Sequence, residues 1–194
     1  NTRIVFVCNP NNPRGTLVTR AEVAAFMARI PPAVIVAFDE AYCDFVDDLD
    51  YSNALGYVKE NNDQVLVLRT FSKSYGMAGL RVGYAIGTRA MVEYLLHAKL
   101  TYNTSDATLY AAAAALDDVG YLQNTRELVA REKQFLYDGF TRLGVAYVPT
   151  QANFILMVTL RVPRDVPAIN EGMLRRGIIV RPMGGFGMPD AIRV

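Results

Sequence analysis

The chain has 194 residues, 52% of them hydrophobic and 20% charged, which is the profile of a globular core and not of a disordered chain. Twenty basic and nineteen acidic side chains leave a formal charge of +1, so no global field is available to hold nucleic acid or an anionic membrane. No apolar run approaches the ~20 residues that a membrane-spanning helix needs. Cys8 and Cys43 have neither CxxC spacing nor a histidine neighbour, which argues against a zinc site or a disulfide scaffold and for a reducing, cytoplasmic setting.

Apolar runs of strand length alternate with helical patterns along the chain, the signature of βαβ units. Residues 4–8 form a continuous apolar run, which predicts a strand buried on both faces of a parallel sheet. The segment Asn9-Pro10-Asn11-Asn12-Pro13-Arg14-Gly15 is dense in turn formers and predicts a loop. Thr19, with Glu22 three residues later, predicts a capping box, and Val23, Phe26, Met27 and Ile30 carry the helix on until Pro31-Pro32. A second strand is predicted over 33–38, running into Asp39-Glu40. Residues 43–63 read as acidic and irregular, with a short helix near 52–59. The third strand is predicted over 65–68, and a short one over 82–86 follows a glycine-rich stretch.

Beyond it the pattern turns helical. Thr88 caps a predicted helix reaching about residue 100, residues 107–116 are alanine-rich and helical, and 119–143 form one long amphipathic helix stopped by Gly144. Strands at 146–148 and 154–158, a helix over 166–176 and a strand at 178–181 complete the chain. The fold class is therefore α/β with a mostly parallel sheet over 1–140, followed by part of a smaller α+β domain over 141–194.

Ligands of a parallel α/β sheet sit at the carboxyl ends of its strands. Three successive strands end here in polar groups of different kinds: Asn12 beyond the first, Asp39 and Tyr42 at the second, and Thr70, Ser72 and Lys73 at the third. Parallel strands would bring them to one edge. Lys73 stands between Ser72 and Ser74, with Gly76, Gly79 and Gly83 following, an odd place for a solvated cation. In a partly desolvated pocket it would become an amine nucleophile able to form a Schiff base, whereas an ordinary turn lysine is the competing reading. Asp39 follows five apolar residues, which predicts a largely buried carboxylate in need of a cation such as a protonated pyridine nitrogen; a helix cap is the alternative.

Asn12-Pro13-Arg14-Gly15, Asp39-Glu40-Ala41-Tyr42, and Ser72-Lys73 followed eight residues after the lysine by Arg81 resemble the motif series of the fold-type I pyridoxal-phosphate aminotransferases. Arg69-Thr70-Phe71-Ser72-Lys73, Gly79-Leu80-Arg81-Val82-Gly83, Ala152-Asn153-Phe154 and Arg181-Pro182-Met183 are most similar to the histidinol-phosphate aminotransferase group, and the resemblance runs over the whole chain. It implies a three-layer αβα, aspartate-aminotransferase-like large domain and pyridoxal 5'-phosphate as cofactor. Lys73 would carry that cofactor and shuttle the substrate proton, Asp39 would pair with its ring nitrogen, and Asn12 and Tyr42 would bond its phenolic oxygen. Thr70, Ser72 and Arg81 would hold its phosphate. Arg193 would grip the substrate α-carboxylate, assisted by Asn153.

The implied reaction exchanges an amino group between an amino acid, histidinol phosphate or an aromatic one, and a 2-oxo acid such as 2-oxoglutarate, in a homodimer. The same resemblance leaves room for a decarboxylase or lyase like threonine-phosphate decarboxylase, or for a non-catalytic regulatory module. The family's N-terminal segment and the elements expected after Val194 are missing, and both ends look cut, so the chain reads as a piece of a longer protein. Arg14 stands where the family more often has a small residue. His97 reads as structural, Gly184-Gly185-Phe186-Gly187 as a flexible loop near the substrate, and Ala111–Ala115 as a face for close helix packing.

Overall fold

Three strands, β1 (Ile4–Cys8), β2 (Ile35–Asp39) and β3 (Val65–Thr70), run parallel in the order β1-β2-β3. The register places Cys8 opposite Asp39 and Asp39 opposite Leu68, so the carboxyl ends of the strands are level. A fourth strand, β4 (Gly83–Ile86), pairs antiparallel with β3. The reversal follows from the connection: the segment 71–82 holds only a 3₁₀ turn at Ala78–Leu80, and a parallel return would need a crossover long enough to carry a helix. This computed structural model describes residues 1–158 and 166–194.

The described chain divides into two units, Asn1–Pro10 with Leu17–Arg126, and Asn11–Thr16 with Glu127–Val194. In the first, the side chains of Val36, Phe38, Val65 and Val67 build one core with Val23 and Ala54. Helices α1 (Arg20–Met27) and α2 (Leu55–Lys59) contribute Phe26, Met27, Leu55 and Val58 to its rim. The predicted capping box starts α1: the Thr19 hydroxyl accepts from the Glu22 amide at 3.3 Å, and the Glu22 carboxylate accepts from the Thr19 amide at 2.8 Å. Such a cap is worth about 1 kcal/mol. The helix stops at Met27, three residues before the predicted Ile30.

The central strand β2 matches its continuous apolar run, with Val36, Ala37 and Phe38 all buried. The same reading fails for β1. Ile4 is 50% and Phe6 66% exposed, with no described residue covering that face of β1, and β1 pairs with β2 alone among the described residues. Helices α3 (Arg89–Ala98), α4 (Asp106–Asp117) and α5 (Val119–Leu143) follow, the first two capped by Thr88 and Ser105. Of the alanine run, Ala112 is buried and Ala115 packs near Phe71 and Val82, so close packing uses one stripe and leaves the rest open. His97 is exposed and its ring nitrogen bonds the Glu93 carbonyl, a local helical contact.

In the second unit, α5 closes at Gly144, which takes φ +68° as a helix-terminating glycine does. Strands β5 (Ala146–Val148), β6 (Leu156–Val158), β7 (Arg181–Pro182) and β8 (Ala191–Arg193) form an antiparallel sheet in the order β5-β6-β8-β7, joined by α6 (Val166–Leu174). The strand predicted at 178–181 shrinks to Arg181–Pro182. Ile178 and Ile179 are exposed, so an apolar run alone did not earn them a ladder. The glycine loop contains a 3₁₀ turn, Gly184–Phe186, ended by Gly187 at φ +72°, with the Arg181 guanidinium 5.4 Å from the Phe186 ring centre.

Gly15 explains why residues 11–16 belong with this unit. Its carbonyl accepts from the Gln151 amide at 2.7 Å, its φ is +74°, and an added Cβ would overlap the Thr150 side chain. Among the described residues no helix is long and apolar enough to cross a membrane.

Candidate active site

At the carboxyl ends of β2 and β3, a cavity of about 460 Å³ opens in the first unit. Asp39, Thr70, Ser72, Lys73 and Arg81 line it together with Ala41, Arg69 and Gly83. Five residues marked out by sequence therefore share one wall-to-wall space, and a sixth, Tyr42, adjoins it with its ring centre 5.6 Å from the Lys73 Nζ.

Each is positioned by local geometry. Thr70 ends β3, and its hydroxyl accepts from the Ser72 amide at 3.0 Å, which turns the chain so that Ser72 and Lys73 follow at once on the cavity side. Arg81 lies in the left-handed region at φ +54°, and its Nη1 donates to the Ala78 carbonyl at 2.9 Å. That bond folds the guanidinium back over its own turn. Lys73 is exposed, so this chain's described residues do not supply the desolvated pocket that its sequence surroundings predicted. Tyr42 is buried beneath it.

The buried carboxylate expected at Asp39 is one residue further on. Asp39 is half-buried, accepts from the Ala41 amide at 3.1 Å and has the Cys8 thiol 3.9 Å away. Glu40 is 1% exposed. Side chains alternate faces along a strand, so Glu40 follows Phe38 inward. It accepts from the Ala54 amide at 2.6 Å and from Arg69 Nε and Nη2 at 3.0 and 2.7 Å. Burial pushes the Glu40 carboxyl above the ordinary carboxylate range, against the opposing pull of the Ala54 amide and the Arg69 guanidinium. The sequence places an acidic and a basic residue at the ends of two apolar runs but does not say which face either one takes.

Close by, the thiol of Cys43 is pushed up to about 12, first by burial and then by the Asp44 carboxylate. It is expected to stay protonated and inert at neutral pH. In a Cys8→Ser background, alkylation of Cys43 at pH 8 should run roughly a thousandfold slower than that of a free cysteine, and should accelerate with each step in pH above that. Rapid labelling at pH 8 would contradict the buried placement.

The remaining three marked residues belong to the second unit. Arg193, on β8, donates from Nη1 to the Asn12 amide oxygen at 2.6 Å, and its guanidinium carbon lies 4.9 Å from the centre of the Phe154 ring. A planar cation held by an amide at one edge and an aromatic face beside it has a fixed orientation. Asn153 is exposed beside Phe154 in sequence.

The strand ends of this α/β sheet thus gather a lysine, a carboxylate, two hydroxyls and an arginine around one cavity. The chain belongs to the aminotransferase class I and II family, matching the model of that family over residues 1–194. It is 42% identical over 193 residues to the histidinol-phosphate aminotransferase of Moorella thermoacetica, covering 100% of this chain and 49% of that protein. Among solved structures, the histidinol-phosphate aminotransferase from Sinorhizobium meliloti in complex with pyridoxal-5'-phosphate aligns with a TM-score of 0.87 at 28% identity, over 98% of this chain and 52% of that one. The L-threonine-O-3-phosphate decarboxylase from Porphyromonas gingivalis aligns with a TM-score of 0.83 at 21% identity, over 98% of this chain and 58% of that one, a likeness of fold alone. The chain spans about half the length of the curated relatives it matches.

Proposed function

We propose that this chain is part of a pyridoxal-phosphate-dependent aminotransferase that exchanges an amino group between histidinol phosphate, or an aromatic amino acid, and a 2-oxo acid such as 2-oxoglutarate. The whole protein would act as a cytoplasmic homodimer, with residues 1–140 in the cofactor-binding domain and 141–194 in the smaller one. One observation carries the reading: Asp39, Thr70, Ser72, Lys73 and Arg81 line a single cavity at the strand ends.

That donor set fits the cofactor. Two hydroxyls and a guanidinium suit a phosphate dianion, an amine suits an aldehyde, and a carboxylate suits a pyridinium nitrogen. When bound, the cofactor supplies an electron-withdrawing ring that accepts the charge left when a proton departs the substrate Cα. Arg81, Thr70 and Ser72 hold the phosphate. Asp39 keeps the proton on the ring nitrogen, while Asn12 and Tyr42 donate toward the phenolic oxygen. Lys73 carries the cofactor and then moves the proton at the substrate Cα. Arg193, its plane set by Asn12 and Phe154, binds the carboxylate of the 2-oxo acid or the aromatic amino acid with help from Asn153. The names of relatives 41–42% identical to this chain support a histidinol-phosphate-type substrate.

The test is reductive trapping. The whole protein, incubated with pyridoxal phosphate and reduced with borohydride, is expected to carry the pyridoxyl group on Lys73 in its peptide map. Given an aromatic L-amino acid, which carries the carboxyl group that histidinol phosphate lacks, and no oxo acid, it is expected to form pyridoxamine phosphate and release no carbon dioxide. A label on another lysine would overturn the site, and gas release would replace transfer by decarboxylation.

A further inference from the structure

The loop that carries Lys73 is tied to the loop that follows Asp39 by two contacts that the proposed chemistry does not use. The first is the Glu40–Arg69 ion pair. The second lies further along both segments, four residues beyond Glu40 and five beyond Arg69: the Ser74 hydroxyl donates to the Asp44 carboxylate at 2.5 Å. Ser74 is 1% exposed, although it neighbours the exposed Lys73. Between the two ties, Tyr42 lies buried under the Lys73 amine, and Phe45 anchors the far end of its loop in the interior. The turn itself is closed by the Gly76 amide donating to the Lys73 carbonyl at 3.1 Å, with Gly76 in the left-handed region.

We infer that Asp44 and Ser74 are positioning residues: their part-buried hydrogen bond holds the Lys73 turn against the segment that bears Asp39 and Tyr42, and so sets where the amine stands relative to the carboxylate. A long side chain on a short exposed turn has many rotamers and a mobile base. Fixing the buried residue next to it by a bond to a charged acceptor removes the motion of that base, and a bond to an ionised acceptor is about twice as strong as a neutral one. Asp44 sits on the adjacent loop and reaches across to do so, which ties two strand ends with one contact. The inference rests on the role given to Lys73 above, but the tie itself is a property of the loops.

The test uses the whole protein as Ser74→Ala, Asp44→Ala, the double variant and Asp44→Asn, which keeps the shape and one acceptor oxygen. The first readout is amide exchange in peptides spanning 71–77 without cofactor, with β2 peptides as the internal reference. Each alanine variant is expected to exchange about tenfold faster there with β2 unchanged, the double variant no faster than either single one, and Asp44→Asn, whose neutral oxygen makes a weaker bond, between the alanine variants and the unsubstituted protein. The second readout is the pyridoxal phosphate concentration needed for half-maximal trapping on Lys73, expected to rise about tenfold in the single alanine variants and no further in the double. Unchanged exchange, or effects that multiply in the double variant, would overturn the tie. Equal acceleration in β2 would mark general destabilisation and overturn it as well. Should the unsubstituted protein fail to trap the cofactor on Lys73, the functional reading falls, while the exchange readout still decides the tie.

Discussion

Replacing Lys73 with alanine in the whole protein is expected to lower kcat by more than about 10³-fold while leaving pyridoxal phosphate bound. Proton transfer by a positioned side chain contributes about 10²- to 10⁴-fold by itself, and this lysine has the attachment of the cofactor in addition. Binding should survive because Thr70, Ser72 and Arg81 face the same cavity and do not depend on the amine. Lys73→Arg separates charge from chemistry. It restores a cation at the same turn, but a guanidinium does not deprotonate at working pH, so this variant is expected to stay as inactive as alanine. Steady-state kinetics with equilibrium dialysis of the cofactor read both halves. Turnover near the unsubstituted rate in Lys73→Ala would remove the lysine from the mechanism.

An equally large effect, on stability, is expected from Arg69→Leu. Glu40 is fully buried and takes two of its hydrogen bonds from Arg69, so the variant strands a carboxylate in the interior beside Phe38 and Ala54. Breaking a buried pair from one side costs about 3–5 kcal/mol. The pH dependence has a definite sign. Burial already holds the Glu40 carboxyl above its unfolded value, and Arg69 is among the groups pulling it back. A group with a raised folded-state value contributes stability that is fully present below its unfolded value, about 4.3 for glutamate, and is lost as pH rises through the folded one.

Removing Arg69 moves the folded value further up. The deficit of the variant relative to the unsubstituted protein should therefore be small near pH 4 and grow toward pH 7. Urea unfolding at both pH values measures it, and the double variant Glu40→Leu/Arg69→Leu should recover most of the loss. A deficit independent of pH would place the cost in packing and not in the stranded charge.

These two sites differ in how they were legible. Lys73, Asp39 and Arg81 stand in motifs whose order along the chain predicts parallel strands ending in chemistry, and the strands are parallel with level ends. The importance of Glu40 and Arg69 was not visible in that order, because an acidic residue after an apolar run has the same pattern whether it turns inward or outward. The period of a strand settles it: Asp39 and Glu40 take opposite faces, and only the packing of Phe38 and Ala54 shows which face is the interior.

Local rules were sufficient where the determining contacts are local. The Thr19–Glu22 box, the cap at Thr88, the whole of α5 and its stop at Gly144 are governed by side chains within one or two turns of each other. Long-range partners decided the rest. The apolar runs of β1 and β2 are alike in sequence, yet among the described residues β1 has one strand neighbour and an exposed Phe6 while β2 is buried between two, and β4 runs back along β3 because no helix separates them. An apolar side chain records that burial would be favourable. Which neighbour does the burying, and which strand completes the hydrogen-bond ladder, are set by chain segments far away in sequence.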